Sequence, residues 1–143
     1  MATVTPLLDD FLSAARSEFS FLSSDFGYEE ASALSSTKNQ YAVKFVNGKT
    51  AVLVEGINWG FAVNVLVSVG AETAPLWAIA KAQGYLAEPY PPGQLAQLKF
   101  EANRLREVAR DLLRGNASAL APALKVVAET TAQRTNTGER RLP

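Results

Sequence analysis

Residues 41–69 alternate apolar and polar side chains in three successive segments, and this pattern constrains the fold more than any other feature of the chain. The pair Asn47-Gly48 separates the first two segments and is typical of a two-residue hairpin turn. With these two residues as the loop, three cross-strand pairs are predicted on one face: Phe45/Thr50, Val43/Val52 and Tyr41/Val54. Because turn chemistry and apolar pattern agree, the sequence predicts a β-hairpin here.

A third alternating segment continues the sheet, since the odd-numbered residues from Phe61 to Val69 share one apolar face. Three strands in this order form an antiparallel meander, and its apolar face must be covered by another element. Residues 31–36 are a candidate for an additional strand at the sheet edge. The nearest candidate cover is an amphipathic N-terminal helix that begins near Thr5-Pro6 and ends before the turn Phe26-Gly27-Tyr28.

The C-terminal half is predicted to be mostly helical. Residues 75–83 fit a short helix but also a buried strand, and the pattern leaves both open. Apolar residues at steps of three and four predict a long helix over residues 95–112, with Gly115 at its left-handed end. Either Asn116 or Ser118 caps a last helix that ends near residue 129, and the polar residues 130–143 are expected to form a disordered tail.

The sequence therefore predicts an α+β fold with a single domain over residues 1–129. Its order is an N-terminal helix, an antiparallel meander of three to four strands, and two or three C-terminal helices packed on the sheet. A chain of 143 residues is long enough to bury a core without disulfide or metal crosslinks.

The chain contains no His and no Cys, which removes most familiar catalytic chemistry. Ser-His and Cys-His nucleophile pairs and ordinary zinc sites all need these residues. The Asp, Glu and Tyr residues that could still exchange protons form no convincing acid–base pair along the sequence. The sequence favours a binding function over catalysis, and it predicts neither a metal nor a cofactor.

The charges cancel overall but divide regionally. There are 14 basic and 14 acidic residues, with an acidic excess before residue 94 and a basic excess after it. A chain without net charge has no general attraction to nucleic acid or to an anionic membrane. The first residues lack the pattern of a secretory signal and no apolar stretch is long enough to span a bilayer, so we expect a cytoplasmic protein without membrane association.

Two groups of residues are candidates for binding a partner. Trp59, Tyr28 and Tyr90 lie in predicted turns and loops, where amphipathic aromatic side chains often anchor another protein. Asp25, Glu29 and Glu30 form an acidic segment around one of these turns. The simpler interpretations are that Trp59 closes one end of the core and that the acidic segment is a solvated loop. The acidic spacing lacks the pattern of a calcium loop.

A basic stripe follows one face of the predicted long helix at steps of three and four: Lys99, Asn103, Arg106, Arg110 and Arg114. Such a stripe is able to hold phosphates. The acidic residues Glu101, Glu107 and Asp111 lie beside it, however, so the pattern favours a solvated face on which the arginines pair with them. No aromatic residue is interleaved to stack on bases, and nucleic-acid binding is therefore not favoured.

The layout resembles a group of small bacterial α+β proteins. The resemblance consists of the turn Phe26-Gly27-Tyr28 after an N-terminal helix, a hairpin led by Tyr41, a valine-rich strand, and a C-terminal helix over residues 105–116. Some members of this group are immunity proteins of polymorphic toxin systems, which bind and block a cognate toxin. The resemblance implies a protein partner, and it transfers no functional residue to this chain.

The first hypothesis is a non-catalytic protein-binding module, immunity-like and bacterial, that presents its acidic segment and Trp59 to a basic partner. Two alternatives stay open. One is a small structural protein that forms a homodimer through an open sheet edge or the long helix. The other is a ligand-binding or carboxylate-dependent domain with a pocket between sheet and helices, which would fail if bulky side chains filled that space.

Overall fold

The computed structural model describes the backbone of residues 4–32, 38–57, 62–85, 91 and 93–141. Side-chain environments are described between residues 8 and 131 within these ranges, except at residues 57 and 119. Trp59 and Tyr90 therefore lie outside the described residues. The same holds for residues 33–37, which include most of the candidate edge strand.

Five strands form one antiparallel sheet within the described residues, in the order β1-β2-β3-β4-β5. Their bounds are β1 Glu29–Ala31, β2 Ala42–Asn47, β3 Thr50–Ile57, β4 Ala62–Val69 and β5 Glu72–Pro75. The predicted meander is confirmed as β2, β3 and β4, and the prediction of three to four strands was one short. Both additional strands, β1 and β5, are edge strands of four residues or fewer, too short for an alternating pattern to reveal them.

The predicted register of the hairpin was wrong by two residues. Asn47 pairs with Thr50 as the last residue pair of β2 and β3, so Gly48-Lys49 is the loop. Gly48 has φ +60°, a left-handed conformation that glycine adopts without a steric penalty. Phe45 consequently faces Val52, and Val43 faces Val54. A shift of two residues preserves side-chain parity, and the predicted apolar face is therefore still the buried face.

Helices cover this apolar face. Their bounds are α1 Val4–Glu18, α2 Phe21–Phe26, α3 Leu76–Ala82, α4 Gln94–Val108, α5 Arg110–Leu113 and α6 Leu120–Arg141, with a 3₁₀ turn over Ala117–Ala119 before α6. Bulky side chains of α1, of the residue that follows it and of the sheet are all buried: Phe11, Phe19, Phe45, Val52 and Val65. Burial of these five side chains counts against a pocket between the sheet and the helices.

Several helix boundaries differ from those predicted. The N-terminal helix is divided at Phe19-Ser20 into α1 and α2, and the long helix is divided at Ala109 into α4 and α5. At the break at Ala109, side chains donate hydrogen bonds to backbone carbonyls of α4. Gln83 Nε2 donates to the Val108 oxygen, and Arg110 Nε donates to the Arg106 oxygen. Apolar periodicity continues through such breaks, and the sequence pattern therefore does not reveal them.

The last helix also extends further than predicted, because α6 continues to Arg141 instead of ending near residue 129. Loss of apolar periodicity marks where a helix stops packing on the core, whereas its backbone hydrogen bonds need no apolar partner. The open choice at residues 75–83 is resolved in favour of a helix, α3, which follows β5 directly. Among the described helices, none combines the length and the hydropathy that crossing a bilayer requires.

Candidate functional site: an arginine cleft

A surface cleft of about 260 Å³ lies where α2 meets the α4–α5 region. Its lining residues are Asp25 and Phe26 from α2 with Arg106, Arg110 and Arg114 from α4, α5 and the turn after α5. We refer to these five residues as the arginine cleft. The three arginines and Asp25 are exposed, and Phe26 is half-buried.

The α2 side of the cleft is fixed by hydrogen bonds on both sides of Gly27. Gly27 ends α2 in a left-handed conformation with φ +75°, and its N–H donates to the Ser23 oxygen at 3.2 Å. Next to it, the Tyr28 hydroxyl donates to the Leu113 oxygen at 2.8 Å, and Asn47 Nδ2 donates to the Phe26 oxygen at 2.9 Å. The end of α2 is thereby attached to both α5 and the β2–β3 hairpin.

The guanidinium groups are positioned by contacts within the chain. Arg106 lies over the ring of Phe21, with its Cζ 4.3 Å from the ring centre, and Arg114 lies 5.9 Å from the centre of Phe26. Arg110 uses its Nε to donate to the Arg106 oxygen at 3.2 Å. A guanidinium stacked on a ring keeps its in-plane N–H groups for other acceptors. The cleft thus holds positively charged hydrogen-bond donors whose positions are restricted by contacts within the chain.

The predicted pairing of these arginines with their acidic neighbours was wrong. In the described part of the chain, Arg106, Arg110 and Arg114 make no salt bridge to a carboxylate. The exposed residues Glu107 and Asp111 belong to the same helical region but not to the cleft. Spacing along a helix brings charges near one another without fixing their rotamers, and here the guanidinium groups contact aromatic rings and a carbonyl instead.

The predicted acidic segment is divided between three environments. Asp25 lines the arginine cleft, while Glu29 is exposed on the first edge strand. Glu30 accepts three hydrogen bonds from Arg16 of α1: two from Nε, at 3.0 and 3.1 Å, and one from Nη2 at 3.0 Å. The hydrogen bond to Glu30 raises the pKa of Arg16 above its ordinary value, and burial opposes it. These carboxylates therefore do not present one continuous acidic surface.

Tyr28 is a core residue in the structure, with a side chain only 2% exposed. Burial raises the pKa of its hydroxyl to about 12, and a hydrogen bond with the Thr50 side chain acts in the opposite direction. A partner has no access to this ring, so the structure corrects the expectation that Tyr28 is a binding residue. Trp59 and Tyr90 lie outside the described residues, and their predicted role stays a prediction.

The chemistry of the cleft suits binding rather than catalysis. A guanidinium stays protonated at any physiological pH and therefore does not act as an acid or a base. The remaining lining groups are one carboxylate and one phenyl ring. Within the described ranges, no group of three or more carboxylates is placed to hold a metal ion. Three guanidinium groups around one depression are instead an arrangement that attracts an anion.

Sequence reasoning identified Arg106, Arg110 and Arg114 as a stripe but missed that α2 completes a cleft around them. The available signal was Phe26, because an aromatic residue beside a glycine turn needs a packing partner and an arginine supplies one. Lys99 and Asn103 belong to the same stripe and lie outside the cleft. Among the described residues, Trp77 is a large exposed aromatic residue that the sequence did not single out, at 48% exposure.

Together, the fold and the site define an α+β protein with a five-stranded antiparallel sheet and an arginine-lined surface cleft. No protein-family model matches the chain, and neither does any curated protein or any solved structure.

Proposed function

We propose that this chain is a non-catalytic protein-binding module that docks an acidic segment of its partner in the arginine cleft. The observation that carries the proposal is the set of three guanidinium groups that line one cleft without a salt bridge to a described carboxylate. An unpaired surface charge is costly only when a partner buries it, and an acidic segment would supply the compensating charge as it docks.

Pre-organisation of the arginines supports the same proposal. An arginine side chain loses rotamer freedom when it binds, and this loss reduces affinity. In the cleft, the rings of Phe21 and Phe26 and the Arg106 carbonyl already restrict the guanidinium groups. Part of the entropic cost of binding is therefore met during folding. Arginine is also among the residues enriched at energetically dominant positions of protein interfaces.

The proposal reverses the charge of the partner that the sequence favoured. A basic partner would have to engage Asp25, Glu29 and Glu30, of which one lies among arginines and one is already paired with Arg16. An acidic partner meets a cleft with two more positive than negative groups. A toxin as partner, in a bacterial cytoplasm, is the particular case that the resemblance to immunity proteins implies, and it belongs to this proposal as its narrower form.

The homodimer alternative receives less support from the sheet. Both edge strands are short, β1 carries Glu29 and Glu30, and β5 ends in Pro75. Short strands, charges and proline at an edge all discourage edge-to-edge pairing. Sedimentation at high protein concentration tests this directly, and a stable dimer retained in an Arg110→Gln variant would favour the alternative.

Affinity capture with the full-length chain tests the proposed function. Wild-type protein is compared with Arg110→Gln/Arg114→Gln and with Lys99→Gln, which removes a charge from α4 outside the cleft. We expect a defined set of captured proteins on the wild type and on Lys99→Gln, and its loss on the cleft variant. Crosslinking should place an acidic segment of the partner beside α5.

Circular dichroism and urea unfolding must first show that the variants remain folded. Equal capture by all three proteins would contradict the proposed function, as would a crosslinked segment that is basic.

A further inference from the structure

We propose that the group recognised in the arginine cleft is a phosphorylated side chain of the partner, an inference that rests on the proposed function. The cleft has three guanidinium groups against the single carboxylate of Asp25. A phosphoryl group carries about −1.5 to −2 charges at neutral pH and has three strong acceptor oxygens, whereas a carboxylate carries one charge and two oxygens. The excess of two positive charges matches the phosphoryl group.

The geometry of the donors agrees with this charge count. Arg106 has its Cζ over the Phe21 ring at 4.3 Å and Arg114 has its Cζ over the Phe26 ring at 5.9 Å, and a cation–π contact leaves guanidinium N–H groups able to donate to other acceptors. Arg110 has its Nε engaged with the Arg106 oxygen, and its two terminal nitrogens therefore remain as the donating end. Arginines grouped in this way form the usual recognition element for phosphorylated side chains.

The size of the cleft fits one functional group better than a whole ligand. Pockets for drug-sized ligands enclose about 300–1,000 Å³. A cleft of about 260 Å³ that is open to solvent falls below that range. It accommodates a phosphoryl group and bridging waters while the rest of a peptide lies on the surrounding surface.

A single phosphoryl group also fits the surroundings better than a nucleic-acid backbone. Glu107 and Asp111 are exposed beside the cleft on the same helical region. They would repel the neighbouring phosphates of a polyanion, which are spaced along the whole strand. An isolated phosphoryl group in the cleft avoids these carboxylates. The formal net charge of zero likewise gives the chain no general attraction for nucleic acid.

Replacement of Asp25 should change the affinity for an anion in the opposite direction from replacement of an arginine. Its carboxylate lines the same cleft as the arginines and repels an incoming anion. Replacement by asparagine keeps the shape of the side chain and removes this repulsion. An anion site therefore predicts tighter binding for Asp25→Asn and weaker binding for Arg110→Gln, an opposition that general loss of structure would not produce.

The experiment uses the full chain and follows the arginine Nε–H resonances by NMR in chloride buffer. The probes are N-acetylphosphoserine methylamide, N-acetylglutamate methylamide and a single-stranded oligothymidylate. We expect the phosphoserine probe to shift the Arg110 and Arg114 resonances and to bind about tenfold more tightly than the glutamate probe. Arg110→Gln should weaken it about tenfold, Asp25→Asn should tighten it, and Lys99→Gln should leave it unchanged.

The possible failures are distinguishable. If the glutamate probe binds the cleft as tightly as the phosphoserine probe, the phosphoryl inference is overturned and the proposed function stands. If the oligothymidylate binds more tightly per phosphate than the phosphoserine probe and depends on Arg110, the ligand is nucleic acid and both proposals fall. If no probe shifts the arginine resonances at 50-fold excess over protein, or Asp25→Asn weakens binding, the cleft is not the proposed anion site.

Discussion

At the residue scale, Tyr28 connects the end of α2 to α5, and the cleft lies between these two helices. Its hydroxyl reaches the Leu113 oxygen across 85 positions of sequence, and its ring is buried among the core side chains. A buried hydroxyl without a hydrogen bond would lower the stability of the fold. The hydrogen bond avoids this cost and gives the Leu113 carbonyl, at the end of α5, a donor. One residue thereby attaches the end of α2 to α5.

We expect Tyr28→Phe to lower the free energy of unfolding by about 1 kcal/mol at neutral pH, because it removes the hydrogen bond to Leu113 and keeps the ring. Urea unfolding measures the change. Tyr85→Phe serves as the control. Tyr85 is exposed, so the loss of its hydroxyl should change the free energy of unfolding very little. A Tyr28→Phe variant as stable as Tyr85→Phe would show that the buried hydrogen bond contributes nothing.

The same residue predicts a pH dependence. The folded pKa of Tyr28 is raised to about 12 from the ordinary value near 10, so above pH 10 the unfolded chain loses this proton first. Its contribution to stability is complete below pH 10 and is lost progressively as the pH rises towards 12. In urea titrations, the difference between wild type and Tyr28→Phe should shrink over this interval. A constant difference from pH 8 to 11.5 would contradict the assignment.

Individual residues were the hardest level to predict from sequence. Tyr28 has the amphipathic character of an interface residue, and only its contact with distant Leu113 and Thr50 identifies it as a core residue. The arginines of the cleft were visible as a stripe, but their choice between acidic neighbours and aromatic rings depends on where α2 lies. Tertiary contacts decide both cases, and no local pattern encodes them.

At the scale of the elements, Gly27 determines how α2 ends and where Phe26 lines the cleft. Its φ of +75° is disfavoured for residues with a Cβ, while the nearest atom to an added Cβ is Asn47 Nδ2 at 3.8 Å, an ordinary contact. A substitution therefore costs backbone strain without a collision. We expect Gly27→Ala to destabilise the fold by about 1 kcal/mol.

Gly27→Asn is the matched variant, since asparagine tolerates the left-handed conformation better than alanine. Thermal unfolding should rank wild type above Gly27→Asn and Gly27→Asn above Gly27→Ala. An alanine variant more stable than the asparagine variant would mean that the left-handed conformation is not what limits this position.

Gln97 joins two elements through a buried amide. Its Oε1 accepts from the Val63 N–H of β4 at 3.1 Å, and its Nε2 donates to the Pro91 oxygen at 3.1 Å. Gln97→Leu would remove both of these hydrogen bonds, at a total cost of about 2 kcal/mol.

Hydrogen exchange at the Val63 amide, together with urea unfolding, measures the effect of Gln97→Leu. Asn103→Leu on the exposed side of the same helix should change stability by no more than about 0.5 kcal/mol. Unchanged protection of the Val63 amide in Gln97→Leu would contradict the assigned role.

Element types were more predictable than element ends. The meander over β2–β4 follows from side-chain alternation, and this parity was preserved although the turn was placed one residue early. The position of the turn depends on a tertiary contact, because the Asn47 side chain donates a hydrogen bond to the Phe26 oxygen. The pair Asn47-Gly48, taken alone, does not reveal this contact. The break at Ala109 is similar, because the Gln83 side chain that donates to the Val108 oxygen comes from the end of α3, which is distant in sequence.

At the scale of the whole molecule, the division of charge seen in the sequence does not become two opposed surfaces. Asp25 from the acidic half lines the cleft of arginines from the basic half, and Glu30 pairs with Arg16 inside the acidic half. The fold interleaves the two halves because α2 packs beside α4 and α5. Regional net charge along a sequence therefore predicts a surface only where neighbouring elements in the chain are also neighbours in space.

The predicted domain boundary near residue 129 leads to a test of the whole molecule. The residues of α6 that contact the core lie in its first two turns or just beyond: Leu120, Ala123, Leu124, Val126 and Val127. Thr130 donates its hydroxyl to the Val126 oxygen within the helix, and Thr131 is exposed. If the core ends here, a chain truncated after Thr131 should unfold in one transition with a free energy within about 0.5 kcal/mol of the full chain.

The matched control is a chain truncated after Ala121, which removes the fully buried Ala123 and the three half-buried residues behind it. This control should lose several kcal/mol, on the order of 2 for each large apolar side chain removed from the core, and its urea transition should move to much lower concentration. A loss of more than about 2 kcal/mol on truncation after Thr131 would place part of residues 132–143 in the folded unit. The boundary would then lie beyond the point at which apolar periodicity ends, because helix continuity and not burial would define the domain.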